Sequence, residues 1–220
     1  MLRERLEQVE QRILNAVQRS GRARSDVTLI AVTKKFSADV MCEAYSLGLR
    51  QFGENYVQEF EAKRPALAGL TDATFHLIGH LQSNKARSAA ELFQVIETVD
   101  SEKLARRLDQ MGRVLEVMIE VKLSEEETKA GAATDELPAL IRGIQACANL
   151  RLSGLMTMPP WSDDPEVMRP YFRRLAELGR KHGLPKLSMG MSHDLEAAIE
   201  EGATHIRVGT ALFGPRRREG

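Results

Sequence analysis

Eight times along this chain, an apolar run of strand length is followed by residues spaced for a helix. No other feature restricts the fold as strongly. The apolar runs fall at 27–34, 51–55, 75–79, 94–99, 115–122, 151–158, 186–190 and 205–209. Between them lie the helical stretches Ala38–Leu47, Tyr56–Leu67, Asn84–Leu92, Glu102–Met111, Leu137–Ala148, Glu166–His182 and Leu195–Glu201, and only Thr210–Phe213 follows the last run. Strands that are apolar nearly throughout must be covered on both faces, and strand–helix alternation supplies that cover in a parallel sheet. Gly48, Gly112, Gly183 and Gly202 stand where helices would end. Ahead of the first run, Leu2, Leu6, Val9, Ile13 and Val17 recur at spacings of three and four. They form the stripe of one amphipathic helix that stops at Ser20-Gly21.

Eight parallel units close into a barrel more readily than they lie open. The expected fold is therefore α/β, a single (β/α)8 TIM-type barrel with an additional N-terminal helix. An open doubly wound sheet is the alternative. No linker or shift in composition cuts the chain, so residues 1–220 read as one domain and Pro159–Asp164 as a loop within it.

Lysine plus arginine and aspartate plus glutamate both total 31 in 220 residues. A formal net charge of zero argues against bulk electrostatic binding to nucleic acid or an anionic membrane. The terminal Pro-Arg-Arg-Arg-Glu-Gly is locally basic and reads as a solvated tail. Cys42 and Cys147 sit far apart in helical stretches and make no disulfide framework, which suits a reducing cytoplasm. Residues 1–20 are too polar for a signal peptide, and no run approaches transmembrane length.

In such barrels the side chains that do chemistry sit at the C-terminal ends of the strands. That rule selects Lys34 or Lys35, Glu54-Asn55, Gly79-His80, Asp100, Lys122, Met156–Met158, Gly190–Ser192 and Arg207–Thr210. A lysine at a strand mouth can form a Schiff base once its pKa is lowered, although most such lysines are simply solvated. Spacing does not choose between Lys34 and Lys35. Gly209-Thr210, beyond the last strand, can offer N–H groups and a hydroxyl to a phosphate. An aldehyde that also bears a phosphate would use both ends, and pyridoxal 5'-phosphate is that molecule.

Three further segments have competing readings. Gly190-Met191-Ser192 leads into a helix near Leu195, where unpaired N–H groups could meet a phosphate. Capping of that helix by Ser192 or Asp194 is the plainer account. Arg207 places a permanent cation between Ile206 and Val208, a costly burial unless it is paired. Either a ligand or a carboxylate would answer it, and Glu54 is the candidate partner. Gly79-His80-Leu81-Gln82-Ser83-Asn84-Lys85 reads as a polar strand–helix turn that a cap on Ser83 would explain. The five histidines show no metal-ligand spacing, and no nucleophile elbow, Walker loop or dinucleotide fingerprint is present.

Taken in order, six segments resemble one family. They are Ala31-Val32-Thr33-Lys34, Gln51-Phe52-Gly53-Glu54-Asn55-Tyr56, His76 through Lys85, Gly154-Leu155-Met156, Ser188 through Asp194, and Arg207-Val208-Gly209-Thr210. The resemblance, over roughly residues 5–214, is to the pyridoxal phosphate homeostasis proteins, whose fold is like the barrel domain of alanine racemase. It implies that Lys34 is the Schiff-base lysine, since it follows Ala-Val-Thr as the family's lysine follows Ala-Val-Ser. It further implies phosphate donors at Ser192, Gly209 and Thr210, an arginine at the pyridine nitrogen in Arg207, and ring contacts from Asn55 and Met156. The family often has proline shortly after the lysine, where this chain has Lys35-Phe36.

The function so implied is reversible binding of pyridoxal 5'-phosphate for its homeostasis, by buffering or delivery. The expected partners are the cofactor and apo-enzymes that need it, with no nucleic acid or membrane and a cytoplasmic monomer as the working form. A racemase acting on amino acids is the alternative. It needs an acid–base group on each face of the substrate carbon, and nothing after residue 214 resembles the second domain that supplies one in alanine racemase. The carrier is the favoured reading.

Overall fold

The computed structural model of the protein describes residues 1–124 and 130–215. Residues 216–220 of the basic tail lie outside them. The strands are β1 (Thr28–Val32), β2 (Gln51–Glu54), β3 (Thr74–Leu77), β4 (Val95–Val99), β5 (Leu115–Glu120), β6 (Leu150–Met156), β7 (Lys186–Met191) and β8 (His205–Val208). Each pairs with the next in parallel, and β1 pairs with β8, with Ile30 opposite Arg207, so the sheet closes into a barrel. The open-sheet alternative is excluded. Most strands end earlier than the apolar runs: β1 stops at Val32 and β6 at Met156, while β4 ends with its run at Val99 and β7 extends one residue past its run to Met191. Lys34 therefore stands on the turn after β1, not on the strand.

The surrounding helices are α1 (Leu2–Arg19), α2 (Ala38–Ser46), α3 (Val57–Lys63), α4 (Ala86–Leu92), α5 (Glu102–Asp109), α6 (Leu137–Gln145), α7 (Arg169–His182), α8 (Leu195–Glu200) and α9 (Thr210–Phe213). They bury one apolar layer against the barrel wall. Phe60 of α3 lies between Phe75 and Phe93, with ring centroids 4.8 Å away on either side, and all three rings are buried. Burial of each such side chain contributes roughly 1.5–3 kcal/mol. The four helix-ending glycines all have positive φ, as their positions suggested. Ser83 caps nothing: it begins a 3-10 turn, Ser83–Lys85, that has no side-chain cap.

The amphipathic stripe of α1 buries Val9, Ile13 and Val17 and packs on α8 and α9. Its polar face contributes as well. Arg12 grips Glu196 with two bonds of 2.6 and 2.7 Å and donates to the Ser192 carbonyl at 2.9 Å. The extra N-terminal helix thus fixes the loop after β7.

That loop is shaped by a bulge. Ser188 pairs with His205 and Met191 with Arg207, so β7 uses one residue more than β8 over the same span. Gly190 absorbs the excess at φ +89°, a conformation that side chains strain. A Cβ there would lie 2.4 Å from Ala198 Cβ. Gly190→Ala is expected to cost roughly 2–4 kcal/mol, the left-handed penalty plus overpacking. Gly183→Ala, where a Cβ would meet nothing within 4 Å, should lose only the smaller conformational part. Urea denaturation of the two variants checks the difference.

Candidate functional site

A cavity of about 200 Å³ opens at the C-terminal end of the barrel. Lys34, Asn55, Ser192, Arg207, Gly209 and Thr210 line it together, with Val32, Ile78, Met158, Trp161 and Asp194 among the remaining walls. Lys35 is exposed and lines none of it. Met156 is fully buried and is not part of the lining; Met158, two residues on, takes that place.

Lys34 occupies the second position of a tight turn closed by the Phe36 N–H on the Thr33 carbonyl at 3.0 Å. Lys35, the third residue, has φ +65° and is the only non-glycine with positive φ among the described residues. Turns of this kind usually place glycine there, and a lysine costs about 1–2 kcal/mol. Phe36 anchors the turn by packing on Phe213 of α9, with ring centroids 5.2 Å apart.

At the opposite wall, Ser192 Oγ accepts the N–H groups of Gly209 and Ala211, both at 3.2 Å. The expectation that Ser192 works beside the start of α8 needs correcting: the helix it meets is α9. Asp194 holds the N-cap position of α8, but its carboxylate takes the Met191 N–H at 2.6 Å instead. Neither side chain caps α8.

Arg207 is 3% exposed and carries its charge inside the barrel. Its partner is not Glu54. It donates from Nη1 to Ser188 Oγ at 2.7 Å and from Nη2 to the Thr157 carbonyl at 2.8 Å. Ser188 in turn donates to Glu97 Oε2 at 2.5 Å, and Glu97 Oε1 meets His76 Nδ1 at 2.8 Å. His76 Nε2 then reaches Gln51 Oε1, also at 2.8 Å. Side chains from β2, β3, β4, β7 and β8 can meet in this way only across the barrel axis. Burial pushes the Arg207 guanidinium down from its ordinary range, and Glu97, Asp194 and Glu120 oppose that shift. Burial would likewise raise Glu97, but His76, Arg207 and Ser188 outweigh it and hold this carboxyl at about 2. Glu54 is buried elsewhere, accepting from Thr33 Oγ1 at 2.8 Å and Lys63 Nζ at 3.0 Å.

Glu97 and Glu120 were not singled out in the sequence, yet each is an acidic residue inside an apolar strand, the same signal that marked Arg207. Trp161 was also missed. It is the sole tryptophan, and it lies in the loop after β6.

The donor set fits pyridoxal 5'-phosphate on its own chemistry. Asn55 Oδ1 is buried with no hydrogen-bond partner, an acceptor that a ring hydroxyl would satisfy. Two backbone N–H groups converge beside Ser192, and Lys34 and Arg207 give the cavity cations suited to an anion. No group of three metal-ligating side chains exists among the described residues.

Glu120 is 4% exposed, and one of its oxygens has no partner. Burial, reinforced by Asp100 and opposed by Arg207, raises it to about 7 from an ordinary 4.5. Folding therefore binds a proton between these values, and this group's contribution to stability falls as pH rises from about 4.5 to 7. Glu120→Gln should remove that slope and raise stability at pH 8 relative to pH 5 by roughly 2–3 kcal/mol. Chemical denaturation at the two pH values measures it, and an unchanged difference would refute the assignment.

Comparison with known proteins gives these residues a context. The family model described as alanine racemase, N-terminal domain, matches residues 5–217. A pyridoxal phosphate homeostasis protein of Aquifex aeolicus is 43% identical over 97% of this chain and 98% of its own length. One from Pseudomonas aeruginosa is 45% identical over 97% and 95%. Among solved structures, PipY of Synechococcus elongatus with PLP bound is 40% identical, covers 97% of this chain and 100% of its own, and superposes with a TM-score of 0.84. Alanine racemase of Clostridium difficile shares the fold alone, at 13% identity and a TM-score of 0.71 over 96% of this chain and 57% of its own. By full-length similarity to its curated members, this chain belongs to the pyridoxal phosphate homeostasis protein family.

Proposed function

We propose that the chain holds pyridoxal 5'-phosphate reversibly through Lys34 and serves homeostasis of that cofactor, buffering it or passing it to apo-enzymes. The carrying observation is the meeting of a primary amine, an unpartnered acceptor, a buried cation and two N–H donors in one cavity. The names of the curated relatives and the PLP-bound PipY structure support the reading. We further read the chain as one domain, residues 1–220, working as a monomer in the cytoplasm. Among the described residues, no helix is long and apolar enough to cross a membrane.

When bound, the cofactor supplies an aldehyde that condenses reversibly with a primary amine. Lys34 offers that amine from a half-buried position at the rim. Ser192, Thr210 and the backbone N–H groups of Gly209 and Ala211 would donate to the phosphate. Asn55 would accept from the ring hydroxyl. Arg207 would hold the ring nitrogen; a guanidinium only donates and stays charged, so it would disfavour a proton there, and amino-acid chemistry at such a site would be slow. Racemisation would need a second acid–base group opposite Lys34, and Asp194, in the same cavity, is engaged with the Met191 N–H.

Borohydride reduction of the cofactor-loaded protein, followed by peptide mapping, should label Lys34. Lys34→Ala should abolish labelling and Lys35→Ala should leave it; a label on Lys35 or Lys122 would sink the assignment. Ser192→Ala should weaken the phosphorylated vitamer by about tenfold, and pyridoxal without phosphate should bind far less well. One preparation should transfer cofactor to an apo-enzyme while chiral analysis shows no amino-acid turnover. Racemisation at roughly 1 per second or faster would overturn the carrier in favour of the enzyme.

A further inference from the structure

Lys35 sits in a conformation that favours glycine, one residue from the amine on which the proposed function rests. Both ends of its turn are gripped by one cluster of side chains. Glu59 Oε1 accepts the Lys35 backbone N–H at 2.5 Å. Lys63 Nζ donates to the Thr33 carbonyl at 3.0 Å, to Glu54 Oε1 at 3.0 Å and to Glu59 Oε1 at 2.6 Å. The three protons of an ammonium are thereby all used. Thr33 Oγ1 also donates to Glu54 Oε1, so the first residue of the turn is held by both its carbonyl and its hydroxyl. Glu59 and Lys63 lie four apart on α3, and Lys63 is only 10% exposed, so their contact is partly sheltered from solvent.

We infer that Glu59 and Lys63 are positioning residues for Lys34, clamping the Thr33–Phe36 turn so that lysine instead of glycine can hold the left-handed position at 35. The inference rests on the reading of Lys34 as the cofactor lysine. Its logic is conformational. An extended Lys35 would release its N–H from Glu59, swing the peptide that follows Lys34, and move the Lys34 side chain along the rim. A carboxylate on that N–H favours the left-handed state by a charge-assisted bond. Lys63 keeps the carboxylate in place and ties it to the other end of the turn. The clamp stiffens this loop from α3. An ordinary structural role, joining α3 to the barrel, would use the same atoms, so the test must separate the two.

Glycine at 35 adopts positive φ without penalty and has no need of the clamp. The four proteins to compare are the unsubstituted chain, Glu59→Ala, Lys35→Gly and the double variant, with Glu59→Gln as a milder fifth. Glu59→Ala should weaken pyridoxal 5'-phosphate binding by about tenfold. The double variant should bind within about threefold of Lys35→Gly, since the two changes act on one conformation. Glu59→Gln keeps an oxygen for the N–H but loses the charge, and should fall between. In the cofactor-free protein, amide hydrogen exchange at Lys35 should quicken in Glu59→Ala while its melting temperature stays near that of Glu59→Gln. A full tenfold loss persisting on the Lys35→Gly background, or unaltered exchange at Lys35, would overturn the clamp. Borohydride labelling of some other lysine in the unsubstituted protein would instead overturn the Lys34 reading, so the two failures are told apart.

Discussion

The structure is organised around a charge that cannot be left alone. Arg207 is a permanent cation 3% exposed inside a barrel, and removing one partner of a buried pair typically costs 3–5 kcal/mol. The barrel interior is therefore polar along a defined line. Ser188 and the Thr157 carbonyl bind the guanidinium, Glu97 binds Ser188, and His76 and Gln51 complete the far end. Each group satisfies the next, the condition under which a buried network is tolerated. Five strands contribute, so the arrangement exists only once the barrel has closed. The cation that lines the cavity and the bonds that make it bearable are thus products of the same topology.

Around that axis, the rim is held from outside. α1 reaches the Ser192 loop through Arg12, α3 reaches the Lys34 turn through Glu59 and Lys63, and α9 packs Phe213 on Phe36. Loops at a barrel mouth would otherwise be the least constrained part of the fold. The Ser192 loop and the Lys34 turn are instead each tied to a helix far away in sequence. The N-terminal helix, an addition to the eight units, is explained by this: its apolar stripe buries area, and its polar face fixes a loop that lines the site.

The barrel was legible because burial on both faces leaves a long, simple trace in the sequence: eight apolar runs, each followed by a helical period. Strand ends were not legible, because Thr33 and Thr157 continue the apolar runs while already making non-strand bonds. Spacing does not choose between Lys34 and Lys35, which share composition and neighbours; the choice of Lys34 rests on resemblance. What distinguishes the two is a positive φ at Lys35 and a contact from Glu59, 24 residues later. The pairing of Arg207 was misread for a similar reason. Glu54 lies in a polar Glu-Asn pair and seemed available, but partners across a barrel axis are set by strand order and register. Glu97, flanked by Ile96 and Thr98, could have been flagged by the rule that flagged Arg207. Met158, two residues past the end of β6, lines the cavity, while Met156 is buried in the strand.

The walls of the cavity are not equally fixed. Lys34, Asn55, Arg207 and the Gly209 N–H stand on strand ends or on turns one or two residues beyond them, within reach of the barrel's hydrogen-bond ladder. The wall formed by Met158, Pro160, Trp161 and Ser162 is a loop, and Trp161 is 69% exposed. It is joined to the rim through His193, whose Nε2 lies 2.6 Å from the Asp163 carbonyl and whose ring sits 6.2 Å from that of Trp161. Such a segment, with few buried contacts, opens at a lower free energy than the ladder does. The residues proposed to hold the cofactor are therefore on the stiff part of the molecule, and the 158–162 wall is the softer part of the cavity. Under the proposed function that division would serve a protein that binds its cofactor specifically and still gives it up: a preorganised rim would supply selectivity, and a wall held by few bonds would be the less costly part to displace.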